Sequence, residues 1–270
     1  MAKAFSLASW NVEHFKDDAT RIKRVIKFLE AQDPDVFGLL EVEGKEVFTT
    51  LVKEMPNYQF HITEGPQVQE VLVGVKTGIT AFFTQKTEFK AQIQTLRPGA
   101  LLTVTVDGHH YPILFLHTKS SSLPLGLGIR DDQFSRAFKF KKVLDKAAGG
   151  TGNANFIFLG DLNVMGMKYP FKKNIDAPFE VKKLDKDANK AGMRRLTKNR
   201  PHTWWNGPGS KYKPADLDQV VASEQLKFKQ IGGADIDVRG WPGLSPESIQ
   251  AKWIMDYSDH GLLYLEVEKV

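Results

Sequence analysis

The chain contains no cysteine, which removes disulfides, thiolate metal ligands and cysteine nucleophiles at once. It has no run of about 18 apolar residues of the kind that spans a bilayer. Its first ten residues, Met1 to Trp10, lack the long apolar core of a secretory leader. These absences point to a protein of the cytoplasm, or to one secreted with its leader already removed. Internal repeats, low-complexity tracts and a clear linker are missing too. The nearest linker candidate, Thr118 to Gly128, leads straight into a helix-like stretch and reads as a loop. One monomeric domain over residues 1–270 is the expectation.

What remains for chemistry is histidine and carboxylate. The chain has 270 residues, 41% of them hydrophobic, enough to bury a core without cross-links. Formal net charge is +5, and its distribution is uneven. From Lys168 to Arg200 eleven Lys/Arg stand against four acids, an excess of seven that exceeds the whole net charge. Such a segment favours a polyanionic partner, DNA above all. A solvated, lysine-rich loop and helix surface has the same composition, and both readings stand at this point.

Periodicity supplies the elements. Strands are expected at Ala4 to Trp10, Asp35 to Leu40, Tyr58 to Ile62, Glu70 to Val75, Ala81 to Phe83 and Leu101 to Val106. Asp107-Gly108 signals a hairpin into Tyr111 to His117, and Asn155 to Leu159, Leu217 to Ala222 and Gly261 to Val267 follow as strands. Helical spacing marks Thr20 to Ala31, with Thr20 as cap, then Lys45 to Met55 and Arg130 to Ala147. Helix, strand, helix and then several strands, in two halves, predicts an α+β sandwich of two central mixed sheets covered by helices.

Five apolar strands run into polar residues: Trp10-Asn11-Val12-Glu13, Leu40-Glu41, Leu116-His117-Thr118, Gly160-Asp161-Leu162-Asn163 and Ser258-Asp259-His260. Strand ends are where a scaffold presents side chains to a shared cleft. A hard divalent cation needs oxygen ligands, which Glu41, Asp259 and Glu13 can supply. Attack on a phosphodiester needs a group that orients or deprotonates water, a task for Asp161 beside Asn163. Charge building on the phosphoryl oxygens needs a persistent donor, for which protonated His260 or His117 serves.

In this order the motifs resemble the signatures of the DNase I-like endonuclease/exonuclease/phosphatase superfamily, with Leu217-Asp218 completing the set. The likeness runs from residue 9 to residue 260. It implies a four-layer α/β sandwich and a metal-dependent phosphodiesterase, with Mg²⁺ as cofactor and Mn²⁺ or Ca²⁺ as alternatives. Residue by residue, it implies that Glu41 binds the metal, that Asn11 and Asp259 help to place metal or phosphate, and that Asp161 and Asn163 handle the water. His260 would contact the phosphate with Asp218 as its carboxylate partner, a role for which Asp216 competes.

Glu70 and His117 resemble the second carboxylate and histidine unit of nucleases like DNase I itself, which argues against an abasic-site enzyme. Leu40 stands where the family often has Gln, Glu43 where those nucleases have an arginine, and Ala215 where abasic-site enzymes have an aromatic. The relatives' DNA contacts therefore do not transfer wholesale. Lys119, Trp204, Trp205, Arg194 and Arg195 are the candidate substrate contacts. Each also has a structural reading: a loop lysine, a core indole, a solvated arginine. A nuclease of low sequence specificity on DNA, or on RNA, leads. A phosphatase or phosphodiesterase of a small phosphoester or lipid head group is the second reading, and a binding module on an inactive scaffold the third.

Overall fold

The computed structural model describes residues 2–171 and 173–270; Lys172, one of the eleven basic residues, and Met1 lie outside them. Twelve strands and five α-helices are described. In chain order they are β1 (Lys3–Phe15), α1 (Ala19–Gln32), β2 (Val36–Val42), α2 (Lys45–Glu54), β3 (Tyr58–Ile62), β4 (Glu70–Lys76), β5 (Thr80–Lys86), β6 (Gly99–Val106), β7 (His109–His117) and α3 (Pro124–Ala147). There follow β8 (Ile157–Asp161), α4 (Ala177–Lys190), β9 (Met193–Arg195), β10 (Asp218–Ser223), β11 (Asp237–Arg239), α5 (Glu247–Asp256) and β12 (Leu262–Glu268).

Two six-stranded mixed sheets result, one in the order β11-β12-β1-β2-β4-β3, the other β5-β6-β7-β8-β10-β9. Each has one parallel pair at its centre, β1 with β2 and β7 with β8. Side chains of a strand alternate between faces. In β4, Val71, Val73 and Val75 enter the core between the sheets, with Leu102, Phe115 and Leu159 from the other sheet, whereas Leu72 faces outwards. The outer face of the first sheet packs on α1, α2 and α5 through Ile22, Leu29, Leu51 and Trp253. That of the second packs on α3 and α4 through Phe134, Ala137, Leu184 and Ala188. The expected four-layer α/β/β/α sandwich is what forms.

Local chemistry sets the boundaries. Asp107 (φ 51°) and Gly108 (φ 82°) are both left-handed, as the tight hairpin between β6 and β7 requires. Asp18, not Thr20, caps α1, its carboxylate accepting from the N–H groups of Thr20 and Arg21. Helix α3 begins six residues earlier than its apolar spacing suggests. Pro124 occupies the first turn, where a missing N–H is harmless. The segment read as a loop thus ends in helix. Helices α4 and α5 were not expected at all.

Candidate active site

The site is built where the parallel strand pairs end. His117 of β7 stands in register with Asp161 of β8, and Asp161 with Asp218 of β10, so three polar residues form a row across the second sheet. Each continues its strand's inward-facing set: Phe115 before His117, Leu159 before Asp161 and Val220 after Asp218. Gly160 (φ 134°) lets β8 approach β7 closely, since a Cβ there would meet the Leu116 carbonyl oxygen at 2.1 Å. On the facing sheet, Asn11 of β1 lies beside Leu40 of β2.

Glu41 does not follow that alternation. Leu40 already faces the core, so the next side chain of a regular strand would point to the helices. Instead the pairing with β4 jumps from Leu40↔Val71 to Val42↔Glu70, leaving Glu41 as the extra residue of a bulge with φ 65°. The bulge aims the Glu41 carboxylate at the row opposite. Glu13, His14 and Asn163 also hold left-handed backbone (φ 41°, 44° and 49°). Strained backbone of this kind gathers where a structure over-determines geometry for function.

The side chains converge. Asn11 Nδ2 donates to Glu41 Oε1 at 3.0 Å and to Asp161 Oδ2 at 3.1 Å, holding the two carboxylates together across the sheets. His117 Nε2 lies 3.6 Å from each of those oxygens. Asp218 Oδ2 accepts from His260 Nδ1 at 2.8 Å. The other ring nitrogen faces Asp161 Oδ2 and Asp259 Oδ1, both at 3.8 Å and beyond hydrogen-bond length. Asp259 Oδ2 accepts from Trp204 Nε1 at 2.6 Å, and Glu13 Oε2 accepts from the Asp259 N–H at 3.3 Å. Asn163 donates its N–H to Asp161 Oδ1 at 3.0 Å and its amide to the Thr118 carbonyl at 3.2 Å.

Environment divides these groups by charge. Burial pulls the His117 imidazole down to about 3, with the Arg97 guanidinium acting in the same sense, so the ring is neutral. Burial pulls on His260 too, but the carboxylates of Asp218 and Asp161 outweigh it and keep that imidazole protonated at neutral pH. Burial pushes Asp161 up to about 7 despite His260. Glu41 is held down at about 2: burial opposes ionisation, but the donors Asn11 Nδ2 and His14 N–H, with the protonated His260 imidazole, prevail. Burial raises Asp259 and Glu13 as well.

Such an arrangement fits a divalent cation. One donor atom each from Glu41, His117 and Asp161 lie within 4.8 Å of one another. Asp259 Oδ1 is buried without a hydrogen-bond partner in the protein. Carboxylates taken out of water and crowded together need a compensating charge.

The structure brings Asn11, Glu13, Glu41, His117, Asp161, Asn163, Asp218, Asp259 and His260 to one place. It separates others. Glu70 is not the partner of His117: its carboxylate accepts from Thr63 Oγ1 at 2.5 Å and from Gln67 Nε2 at 2.7 Å. Regular alternation along β4 gives Glu70 the outward parity of Leu72, and Gln69 enters the site instead. Trp205 is 8% exposed and packs on Trp241, so it is a core residue. Trp204 reaches the site, but through its N–H on Asp259. Arg194 and Arg195 pair with Asp235 and Asp185, near the far end of β10 from Asp218. Lys119 lies two residues past His117 and is half-buried. Asp216 is bound by Lys198, which leaves Asp218 to His260. The sequence reading missed Gln69, Glu43, His14 and Arg97. The odd-numbered inward set of β4, extended by one step, would have found Gln69.

An α/β/β/α sandwich with carboxylates, amides and two histidines gathered at one rim of its sheets defines a metal-dependent phosphoester hydrolase. The chain belongs to the endonuclease/exonuclease/phosphatase family, whose model matches residues 8–260. It is similar to tyrosyl-DNA phosphodiesterase 2 of Bos taurus, 26% identical over 172 residues, 59% of this chain and 42% of that protein. The match thus spans about two fifths of that relative's length. Among solved structures it is similar to truncated Caenorhabditis elegans TDP2, with a TM-score of 0.69, 17% identity and 98% of each chain covered. A 3′ phosphatase from Neisseria, NExo, bound to product DNA hairpin, gives a TM-score of 0.64 at 15% identity, covering 98% of this chain and 100% of that one.

Proposed function

We propose that the chain hydrolyses phosphodiesters of DNA in a divalent-metal-dependent reaction. The observation that carries this reading is the Glu41, Asp161 and His117 cluster facing the protonated His260–Asp218 pair across one cleft. Glu41, Asp161 and the His117 nitrogen would hold the cation, with Asp259 and Glu13 beside them. The oxygen donors suit Mg²⁺, and the imidazole nitrogen makes Mn²⁺ an equally good occupant. When bound, the ion supplies positive charge against the phosphoryl oxygens.

The chain's own groups do the rest. Asn163 and Asp161 would orient a water in line with phosphorus; as its oxygen bonds to phosphorus, the opposite P–O bond to the leaving alcohol breaks, and the Asp161 carboxylate accepts the water's proton. His260 donates from Nε2 to a phosphoryl oxygen, where negative charge accumulates, while Asp218 fixes the ring through Nδ1. Trp204 and Glu13 hold Asp259. Contacts of this type address phosphate and carry little base information, so sequence specificity is low. The tyrosyl-DNA relative supports DNA as the substrate and a blocked DNA end as one form to test.

The experiment is a panel of plasmid, single-stranded DNA, RNA, an oligonucleotide carrying a terminal tyrosyl ester, and phosphomonoesters. Each is incubated with Mg²⁺ or Mn²⁺, with Asp161→Asn as control. Cleavage of a DNA substrate is expected, abolished by EDTA and reduced at least about 1,000-fold in the variant. Activity indifferent to EDTA would exclude the mechanism. Turnover confined to phosphomonoesters would transfer the site to the phosphatase reading.

A further inference from the structure

Glu41 stands on a bulge, with no regular strand pairing to fix its side chain, yet both oxygens of its carboxylate are hydrogen-bonded, Oε1 only once. Oε1 accepts from Asn11 Nδ2; Oε2 accepts from the His14 N–H at 3.0 Å and from Gln69 Nε2 at 2.9 Å. Gln69 Nε2 also reaches Glu43 Oε1 at 3.2 Å. Glu43 is in turn held by His14 Nδ1 at 2.5 Å and by Lys16 Nζ at 3.6 Å. One neutral amide, with two hydrogens to give, therefore bridges two carboxylates that would otherwise repel.

Its other end is telling. Gln69 is 8% exposed, and its Oε1 is buried with no partner in the protein. A space-filling apolar side chain would avoid that unpaired oxygen. The N–H groups are what this position requires of its side chain.

We propose that Gln69, clamped by Glu43, is the positioning residue of the Glu41 carboxylate: it sets the orientation in which Glu41 meets the cation. This rests on the reading of Glu41 as a metal ligand. Groups behind a metal ligand fix its rotamer and basicity, and their loss typically weakens metal binding about 10- to 100-fold.

The test is Mn²⁺ titration of the full chain, followed by electron paramagnetic resonance, on wild type, Gln69→Met, Glu43→Gln and the double variant. Gln69→Met is expected to raise the Mn²⁺ dissociation constant about 10-fold or more. Its kcat should recover at saturating Mn²⁺, with KM for DNA unchanged. Glu43→Gln should weaken binding several-fold, and the two losses should not add, because the same bridge is broken in each. Wild-type affinity in Gln69→Met, or strict additivity, would overturn the proposal; additivity is what a purely electrostatic effect of Glu43 predicts. If Gln69→Met does not melt cooperatively, Gln69→Asn, which is too short to span both carboxylates, replaces it in the same cycle. Unchanged Mn²⁺ affinity in Glu41→Gln would remove the metal reading and this proposal together, an outcome distinct from failure at Gln69 alone.

Discussion

Asp161 carries a marked electrostatic conflict, because it is buried beside Asp218 and Glu41 while serving as the proposed base. Its carboxyl lies at about 7 instead of 3.8. A folded-state value raised this way means that the native state keeps a proton the unfolded chain has lost between about pH 4 and 7. Stability is therefore present at low pH and declines as pH climbs through that window. Asp161→Asn removes the decline. In EDTA at pH 8 the variant is expected to melt higher than wild type, with the difference closing towards pH 4, as followed by circular dichroism. Equal melting at both pH values would show that the carboxylate ionises there without strain. His117, Asp161 and Asp218 were legible because each continues an inward-facing set, whereas Glu41 reaches the cleft only through its bulge. Glu70 and Trp205 misled for physical reasons: Glu70 is out of phase with the inward set Val71, Val73 and Val75 of its own strand, which only the sheet's packing reveals, and an indole's burial depends on elements far away in the chain.

The helices were less legible than the strands. Helix α5 buries only Trp253, which leaves little periodicity to detect, and in α4 one of the three buried positions, Glu180, is a carboxylate and another, Ala188, is small, so that Leu184 stands almost alone as an apolar signal. What anchors α4 is an ion pair. Arg130, fully buried on α3, donates to both oxygens of Glu180 and to the carbonyls of Lys119, Ser121 and Gly166. It thereby joins two helices to the loop after His117 and to the loop after Asn163. Arg130→Met strands a buried carboxylate and is expected to lose about 3–5 kcal/mol in urea unfolding. Arg130→Met with Glu180→Met should regain part of that stability, because no unpaired charge remains. If the single variant lost less than about 1 kcal/mol, the pair would not be the anchor described.

Across the whole molecule, the basic segment proves less available than its composition suggests. Lys183, Lys190, Arg194, Arg195 and Lys198 are engaged with Asp131, Asp187, Asp235, Asp185 and Asp216. Much of the sequence's local excess is thus internal bracing of the second half. Arg194→Ala and Arg195→Ala should therefore leave KM for DNA within about twofold and lower the melting temperature, whereas Lys119→Ala, beside the cleft, should raise KM; steady-state kinetics at fixed salt decides. Both sheets deliver their parallel strand ends to one rim, which is why motifs 30 to 250 residues apart could be read as a set. The bulge at Glu41 carries that economy one step further, since the site depends on the count of residues in β2 as well as on their identity. Adding a single residue to β4 opposite Glu41 would restore an unbroken ladder and leave composition and core nearly untouched. The reading frame of side chains would then be shifted, and the carboxylate meant for the cleft would face the helices. In this chain an indel of one residue in a well-paired strand is equivalent to losing the ligand.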